Sequence, residues 1–236
     1  MAGNNSGFQP PPRVKNALDN RKLNLSSPCP TNPGKKSNLI WGLYEGNPRL
    51  TVYIGDNEGS KVSAALDLPV FQAFLALLES APSKEPGWKN CIENKNFTWY
   101  GGKRSEAAEV VSELWVGKDK EGQIWISVTD KKAPKVQFFF SEPEFHHFKH
   151  GDGTSFTKAE TSELFAKGYI SILNSVVNSL FVTSWPEVEA ANKRRAEAAA
   201  EKRGGGSGGY GGGGGGYTNR APAPPAAIVT GDDFPF

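Results

Sequence analysis

Short apolar strands that give way to a helical pattern are the feature that most limits how this chain can fold. Two segments share the pattern, KVSAALDLPVFQAFLALL and KVQFFFSEPEFHHFKH. Each starts with Lys-Val, runs through an apolar strand to an acidic residue and a proline, and then places aromatic residues at helical spacing. Phe71 and Phe74 correspond to Phe145 and Phe148 by their positions after the proline. An internal repeat of a small sheet followed by a helix explains the match, and chance similarity between two strand–helix junctions explains it equally well.

Further strands and turns surround the first of these segments. NLIWGLYEG and PRLTVYIGDNEG have the composition of strands, and each ends in turn-forming residues. VVSELWVGKDKEGQIWISVTD predicts a hairpin closed by residues 118–122, and NFTWYGG predicts another strand. After Pro69, one helical face collects the apolar residues Val70, Phe71, Phe74, Leu77 and Leu78. These patterns predict small antiparallel sheets that lead into helices.

The strongest helical pattern begins at Thr157. Thr157 and Glu160 have the spacing of a capping box, in which the threonine hydroxyl accepts a hydrogen bond from the Glu160 amide. Apolar residues then recur every three or four positions until Pro186, which we expect to end or kink the helix. We therefore predict an α+β fold in which antiparallel sheets are each followed by a helix and the C-terminal helix is long. An oligonucleotide-binding β-barrel is the alternative fold.

Charge and composition divide the chain into segments. Between Arg13 and Lys36, six basic residues accompany one acidic residue, Asp19, and no apolar face repeats. We therefore expect an extended arm, whose commonest specific partner is nucleic-acid phosphate, although a merely solvated tail has the same composition. The predicted segments are a disordered basic arm (1–37), a folded core (38–186), a charged helical extension (187–203), a flexible Gly/Pro-rich linker (204–230) and an acidic tail (231–236).

Residues that usually support catalysis or metal binding are scarce. The three histidines, His146, His147 and His150, lie in FHHFKHG without cysteines or carboxylates at ligand spacing, so surface histidines explain them better than metal ligands. The glycine-rich stretches lack the preceding strand and the following lysine-bearing helix of a phosphate-binding loop. We expect a protein that is not an enzyme and that uses neither a metal nor a cofactor.

Cysteine use and apolar runs predict the compartment. Cys29 and Cys91 form no disulfide framework, which fits a reducing cytoplasm. The first residues, MAGNNSGFQPPP, lack the apolar segment of a secretory signal. The longest apolar run, residues 170–181, is interrupted by serine and asparagine and is too short to span a bilayer. We expect a soluble cytoplasmic protein that does not bind membranes.

Aromatic residues interleaved with basic residues on strands give the clearest functional signal. Alternate side chains of a strand share a face, so Trp125 must face away from Ile124 and Ile126. Flat rings on an open sheet, flanked by cations, form a platform for unstacked bases and their phosphates, whereas any single ring can equally be part of the core. The aromatic candidates are Trp41, Tyr44, Tyr53, Trp99, Tyr100, Trp115 and Trp125, and the basic ones are Arg49, Lys61, Lys103, Arg104, Lys118, Lys131, Lys132 and Lys135.

The last residues of the sequence, GDDFPF after a glycine-rich stretch, resemble the tails of bacterial single-stranded DNA-binding proteins. Tails of that family end in several aspartates, an apolar residue, proline and phenylalanine, and dock in basic, apolar pockets of replication and repair enzymes. The resemblance assigns this docking role to Asp232, Asp233, Phe234, Pro235 and Phe236. This chain has fewer acidic residues than is usual in the family, and it has phenylalanine where isoleucine or leucine is usual.

The predicted core is similar in pattern to a different group of single-strand binders. Two sheet-then-helix units with a long final helix resemble the Pur-alpha, Whirly and transcriptional coactivator group across about residues 38–185. The resemblance implies a homo-oligomer, because folds of this group commonly pair sheets or helices between subunits. A tail of bacterial type on such a core suggests a bacteriophage protein that acts in the cytoplasm of a bacterial host.

Together these features predict a non-enzymatic protein that coats single-stranded DNA and recruits replication, repair or recombination partners. A transcription cofactor that holds melted promoter DNA and recruits an RNA polymerase is the alternative. An RNA-binding protein is a weaker one, because GGYGGGGGGYTNR contains one arginine where RNA-binding glycine-rich tails repeat it.

Overall fold

Two antiparallel sheets and three helices make up most of the structure. The computed structural model describes residues 16–44, 46–55, 61–101 and 103–204. Contacts divide the chain into one unit that ends at Arg194 and a second unit from Arg195 to Phe236, of which only the end of a helix is described. The first unit holds both sheets, two complete helices and the first part of the third helix.

The first sheet is a simple meander of four neighbouring strands. In β2 and β3, alternate residues such as Leu39, Trp41, Leu50 and Val52 are buried, as the period of two requires for a sheet with one face on the core. The strands are β1 (Leu25–Pro28), β2 (Lys36–Tyr44), β3 (Asn47–Tyr53) and β4 (Lys61–Ala65), in that order across the sheet.

The second sheet also has four strands, but a small hairpin interrupts it. The hairpin lies between β5 and β8, and the strand order across the sheet is β5-β8-β9-β10. The register of β5 shifts between Asn94 and Lys95, shortly before the hairpin. The sheet strands are β5 (Lys89–Asn96), β8 (Glu109–Lys118), β9 (Ile124–Thr129) and β10 (Phe138–Phe139), and the hairpin is β6 (Trp99–Tyr100) with β7 (Lys103–Arg104).

A helix follows each sheet, so the predicted α+β class with two antiparallel sheets and a long helix is confirmed. The helices are α1 (Leu68–Ser80), α2 (Lys158–Thr183) and α3 (Trp185–Gly204). The α1 helix buries the apolar face that its spacing predicts, and Phe71 and Phe74 pack on Trp41 of β2 with ring centroids 5.7 and 6.0 Å away. The two sheets, α1 and α2 share one hydrophobic core.

Tyr169 of α2 ties the long helix to the first sheet. Its hydroxyl accepts a hydrogen bond from Trp41 Nε1 at 2.7 Å and donates one to the Leu23 carbonyl at 2.8 Å. Burial raises the pKa of this phenol far above its usual range. Among the described helices, α2 alone is long and apolar enough to cross a membrane by length and composition, yet Leu173 and Val177 pack in the core beside Tyr169.

Residues 16–37 belong to the folded unit, which corrects the expectation of a disordered arm up to residue 37. Two turns of 3-10 helix, Ala17–Asp19 and Arg21–Leu23, precede β1, and they bury Leu18 and Leu23. Each turn is only three residues long, so no repeating apolar face is visible in the sequence, although asparagine caps start both turns. The rest of the predicted arm, residues 1–15, lies outside the described residues.

The second copy of the suspected repeat does not continue into a helix at the matching place. Residues 143–150 form turns and irregular chain, and α2 starts only at Lys158. The Glu142 carboxylate accepts a hydrogen bond from the Phe148 amide at 2.8 Å, so this backbone group is engaged outside any helix. Phe148 packs against Phe165 of α2, whereas Phe145 is 82% exposed.

Candidate nucleic-acid interface

The outward face of the first sheet carries a shallow groove of about 250 Å³. Alternation in β2 and β3 turns Tyr44, Arg49 and Tyr53 outward, and Lys61 lies opposite Tyr53 in the register of β3 and β4. The Arg49 guanidinium lies 4.2 Å from the centroid of the Tyr44 ring, which is 50% exposed. An exposed ring with a cation stacked on it can receive a base and a phosphate together.

A second cavity of about 400 Å³ continues from the first. Arg49 and Ser63 line both cavities, and the second one extends to residues 93–96 at the end of β5. The two cavities therefore form one surface path, which we call the Arg49 groove, from Tyr53 to Asn96.

The β6–β7 hairpin begins where the Arg49 groove ends. Trp99 is 68% exposed, the largest exposure of any tryptophan among the described residues. Arg104 lies 3.6 Å from the centroid of the Phe97 ring and pairs with Trp99 across the hairpin, and Lys103 is exposed beside it. Tyr100 lies in β6 opposite Lys103. The hairpin thus presents an aromatic and basic surface next to the groove.

Phe97 belongs to this surface but is not among the residues predicted from the sequence. The alternation in NFTWYGG places Phe97 and Trp99 two residues apart, which is the spacing of side chains on one face of an extended chain. That signal was present, but the phenylalanine precedes the strand, and its arginine partner is seven residues away in sequence.

The outward face of the second sheet holds another aromatic and basic cluster, around Trp115. Lys135 Nζ lies 3.6 Å from the centroid of the Trp115 ring, and Lys89 Nζ lies 5.8 Å from it. The Trp115 indole Nε1 donates a hydrogen bond to Glu113 Oε2 at 2.8 Å, which fixes the ring. Burial, and then the neighbouring Lys89, lower the pKa of Lys135, whereas burial and then Glu113 raise the pKa of Cys91 in the same cluster.

Two of the predicted stacking rings are buried, and this corrects their assignment. Trp41 is 1% exposed and packs in the core. Trp125 faces away from Ile124 and Ile126 as predicted, yet it is only 3% exposed. Its ring lies so close to Gly117 that a β-carbon there would collide with it, and Lys135 lies 5.2 Å from its centroid. A base cannot reach either ring in this conformation.

The predicted basic residues also divide into engaged and open ones. Lys118 Nζ donates hydrogen bonds to the carbonyls of Pro82 and Lys84, at 2.8 and 3.0 Å, so it fastens the turn after α1 and is not open to a phosphate. Lys131 and Lys132 are exposed in the turn that follows β9, where Asp130 accepts a hydrogen bond from the Lys132 amide. Lys61, Lys103, Arg104 and Lys135 lie beside the aromatic groups described above.

Two of the three histidines, His147 and His150, contact neighbouring side chains. His147 Nδ1 lies 3.2 Å from Glu142 Oε2, and His150 stacks on Phe156 with centroids 4.2 Å apart. No group of three histidine, cysteine, aspartate or glutamate side chains able to hold a metal occurs within the described ranges.

The predicted docking residues Asp232, Asp233, Phe234, Pro235 and Phe236 lie outside the described residues. Comparisons with protein-family models, curated proteins and solved structures gave no significant match to this chain.

Proposed function

We propose that this chain is a non-enzymatic protein that binds single-stranded DNA along the Arg49 groove, the β6–β7 hairpin and the cluster around Trp115 on the second sheet. The observation that carries the proposal is the pairing of outward rings with cations: Tyr44 with Arg49, Phe97 with Arg104, and Trp115 with Lys135. Exposed Trp99, on the hairpin, and exposed Tyr53, in the groove, extend the set. Stacking on such rings needs bases whose faces are free, and paired bases in a duplex are stacked on each other.

The charge distribution favours a local contact over a wide electrostatic surface. The whole chain carries a formal net charge of only +2 at pH 7. Basic side chains nevertheless meet aromatic rings in each of the three clusters, where they can neutralise phosphates next to a stacked base. Such a protein binds without strong sequence preference, because every base has a face that can stack.

The arrangement of strands and helices is compatible with the fold that the sequence resemblance implies. Four antiparallel strands followed by a helix, occurring twice, favour a Pur-like or Whirly-like fold over an oligonucleotide-binding barrel. In the proposal, residues 232–236 recruit replication, repair or recombination proteins to the coated strand. Assembly into a homo-oligomer and a bacteriophage origin complete the proposal.

Titration with oligothymidylate while tryptophan emission is recorded tests the proposal. Stacking of bases on Trp99 and Trp115 should quench the emission in a saturable way, and Trp99→Ala should remove part of the quench. Trp185→Ala is the control for an exposed indole, because Trp185 is 51% exposed in α3 and lines neither cavity of the groove. A titration that leaves the emission unchanged at low salt, with no binding by a second method, would reject the proposed function.

A further inference from the structure

The larger of the two cavities in the Arg49 groove contains two charged groups for which the described part of the chain supplies no hydrogen-bond partner. It is lined in part by Ala65, Val70 and Val111, which supply apolar surface. Its volume of about 400 Å³ lies within the range of small-ligand pockets, roughly 300–1,000 Å³. Most of its polar side chains are engaged: Asn94 donates to Ser112 Oγ at 3.1 Å, Asn96 accepts from the Phe97 amide at 2.8 Å, and Glu93 pairs with Lys95 at 3.0 Å.

Arg49 is the first of the two groups. Its guanidinium is held against the Tyr44 ring, and its Nε atom is buried without a hydrogen-bond partner among the described residues. Stacking fixes the plane of the guanidinium but uses none of its N–H donors. A planar fork of donors with a fixed orientation is suited to a flat ligand that offers two acceptors on one edge.

Asp67 is the second group. It is the N-cap residue of α1, yet its side chain makes no capping hydrogen bond, and it is exposed at the cavity. Arg49 pairs with Ala65 in the register of β3 and β4, and the Leu66 amide donates to the Pro48 carbonyl at 2.9 Å. The backbone therefore holds Asp67 close to Arg49 in the wall of the same cavity.

We propose that this cavity receives one guanine base of the bound strand, an inference that rests on the proposed single-strand binding. Guanine offers two acceptors, O6 and N7, on one edge and donors at N1 and N2 on the adjacent edge. Arginine pairs with O6 and N7 through two parallel hydrogen bonds, and the Asp67 carboxylate accepts from N1–H and N2–H. The apolar wall of Ala65, Val70 and Val111 covers the face of the ring.

The other bases satisfy this pair of groups less well. Adenine presents an amino donor at the position of O6, which faces the donors of Arg49. Thymine has no amino group that could donate to Asp67. Cytosine has a single amino group that could donate to the Asp67 carboxylate. A free phosphate suits Arg49 but meets a repulsive charge at Asp67. The protein then binds most sequences alike but holds guanine selectively at one position.

Fluorescence anisotropy with the full chain and modified oligonucleotides tests the proposal atom by atom. The probes are oligothymidylate and the same strand with one central guanine, adenine, cytosine, inosine or 7-deazaguanine. A single guanine should tighten binding roughly 5- to 100-fold over oligothymidylate, the factor expected for one good bidentate base contact. Inosine lacks the N2 amino group and 7-deazaguanine lacks the N7 acceptor, so each should lose most of that gain.

Two variants assign the gain to the two side chains. Asp67→Asn should reduce the preference for guanine over inosine, and Arg49→Lys, which keeps the charge but not the fork, should reduce the preference for guanine over 7-deazaguanine. Lys103→Ala is the control, because it should weaken binding to all probes by one common factor. Circular dichroism and thermal melting check that each variant is folded. Inosine and 7-deazaguanine test the proposed guanine contacts independently, with the unaltered protein.

The outcomes separate this proposal from the function on which it rests. Equal affinity of the unaltered protein for all probes, with binding intact, would overturn the guanine pocket and leave single-strand binding standing. An Arg49→Lys variant that weakens all probes alike would assign Arg49 to a phosphate and also overturn the pocket. Binding to none of the probes at low salt would overturn both.

Discussion

At the scale of single residues, exposure separates rings that can meet a base from rings that hold the fold. Trp99 and Trp125 both lie on strands, and the sequence predicts that both stack bases. In the structure Trp99 lies on a hairpin open to solvent, whereas Trp125 lies across Gly117 on the sheet. Replacement of Trp99 should therefore weaken DNA binding and leave the stability of the fold unchanged, whereas replacement of Trp125 should do the opposite.

Trp99→Ala should weaken binding of single-stranded DNA by roughly 1–3 kcal/mol, the usual loss for one stacked base. The melting temperature should stay the same, because the side chain is mostly exposed and buries little surface in the fold. Anisotropy with oligothymidylate measures the affinity, and Trp185→Ala serves as the control for loss of an exposed indole. Unchanged affinity in Trp99→Ala would remove the hairpin from the interface.

Trp125→Ala should lower the free energy of unfolding by about 3 kcal/mol, since it leaves a cavity over Gly117 on the second sheet. Urea denaturation measures this change, and affinity per folded molecule should be little affected. A variant that melts like the unaltered protein but binds DNA weakly would show that Trp125 turns out of the sheet and stacks on a base.

The sequence alone predicts which face of a strand a ring occupies, but not whether that face is covered. Alternation correctly placed Trp125 opposite Ile124 and Ile126. Its burial depends on Gly117 and Lys135, which belong to other segments of the chain. The contact between Arg49 and Tyr44 likewise joins two strands across a hairpin, and only the register of β2 and β3 brings them together.

At the scale of elements, local signals predicted the helices better than the strands. The capping box at Thr157 and the apolar spacing of α1 depend on neighbours within a few residues, and both occur as predicted. Strand β5 was missed, because Lys89–Asn96 is polar on most positions and lies at a sheet edge with little to bury. Its pairing with β8 is a long-range contact that no local pattern reveals.

Thr157→Ala should destabilise the protein by about 1 kcal/mol through loss of the cap on α2. Hydrogen bonds from the Thr157 amide and hydroxyl lower the pKa of Glu160 below its usual value. A carboxyl whose pKa is lower in the folded state stabilises that state above its unfolded pKa, about 4.3, and loses this effect as the pH falls through its folded pKa.

Chemical denaturation at pH 7 and at pH 3 measures both the loss of stability in Thr157→Ala and its dependence on the ionisation of Glu160. The difference between Thr157→Ala and the unaltered protein should be larger at pH 7 than at pH 3. Ser171→Ala, at an exposed position in the middle of α2, should have almost no effect at either pH. A Thr157→Ala protein as stable as the parent at pH 7 would mean that the cap does not support the helix in solution.

At the scale of the whole molecule, the division of the chain at Arg194 separates the folded unit, for which we propose DNA binding, from the predicted docking tail. The predicted division of the sequence into five segments differs most from the structure on the N-terminal side. There, residues 16–37 belong to the folded unit and supply strand β1 of the first sheet. Strand β1 pairs with β2 from Leu25 to Pro28. The basic composition of this segment therefore did not indicate that it contains a strand of the sheet.

Deletion of residues 232–236 should leave the melting temperature unchanged and abolish capture of partner proteins. Binding of single-stranded DNA should tighten slightly at low salt, because the predicted acidic tail would compete with phosphate for the basic side chains, and the effect should fade as salt rises. Differential scanning calorimetry and affinity capture with purified replication enzymes measure the two effects. A fall in melting temperature would instead place Phe234 and Phe236 in the protein's own core.

The most direct test of the central claim compares single-stranded and double-stranded DNA of the same length over a series of salt concentrations. Fluorescence anisotropy should give tighter binding to the single strand at every concentration, because only free base faces can stack on Tyr44, Trp99 and Trp115. The affinity should fall steeply as salt rises, since basic side chains release counterions from the phosphates. Equal affinity for the two forms of DNA, or no binding at low salt, would contradict the account.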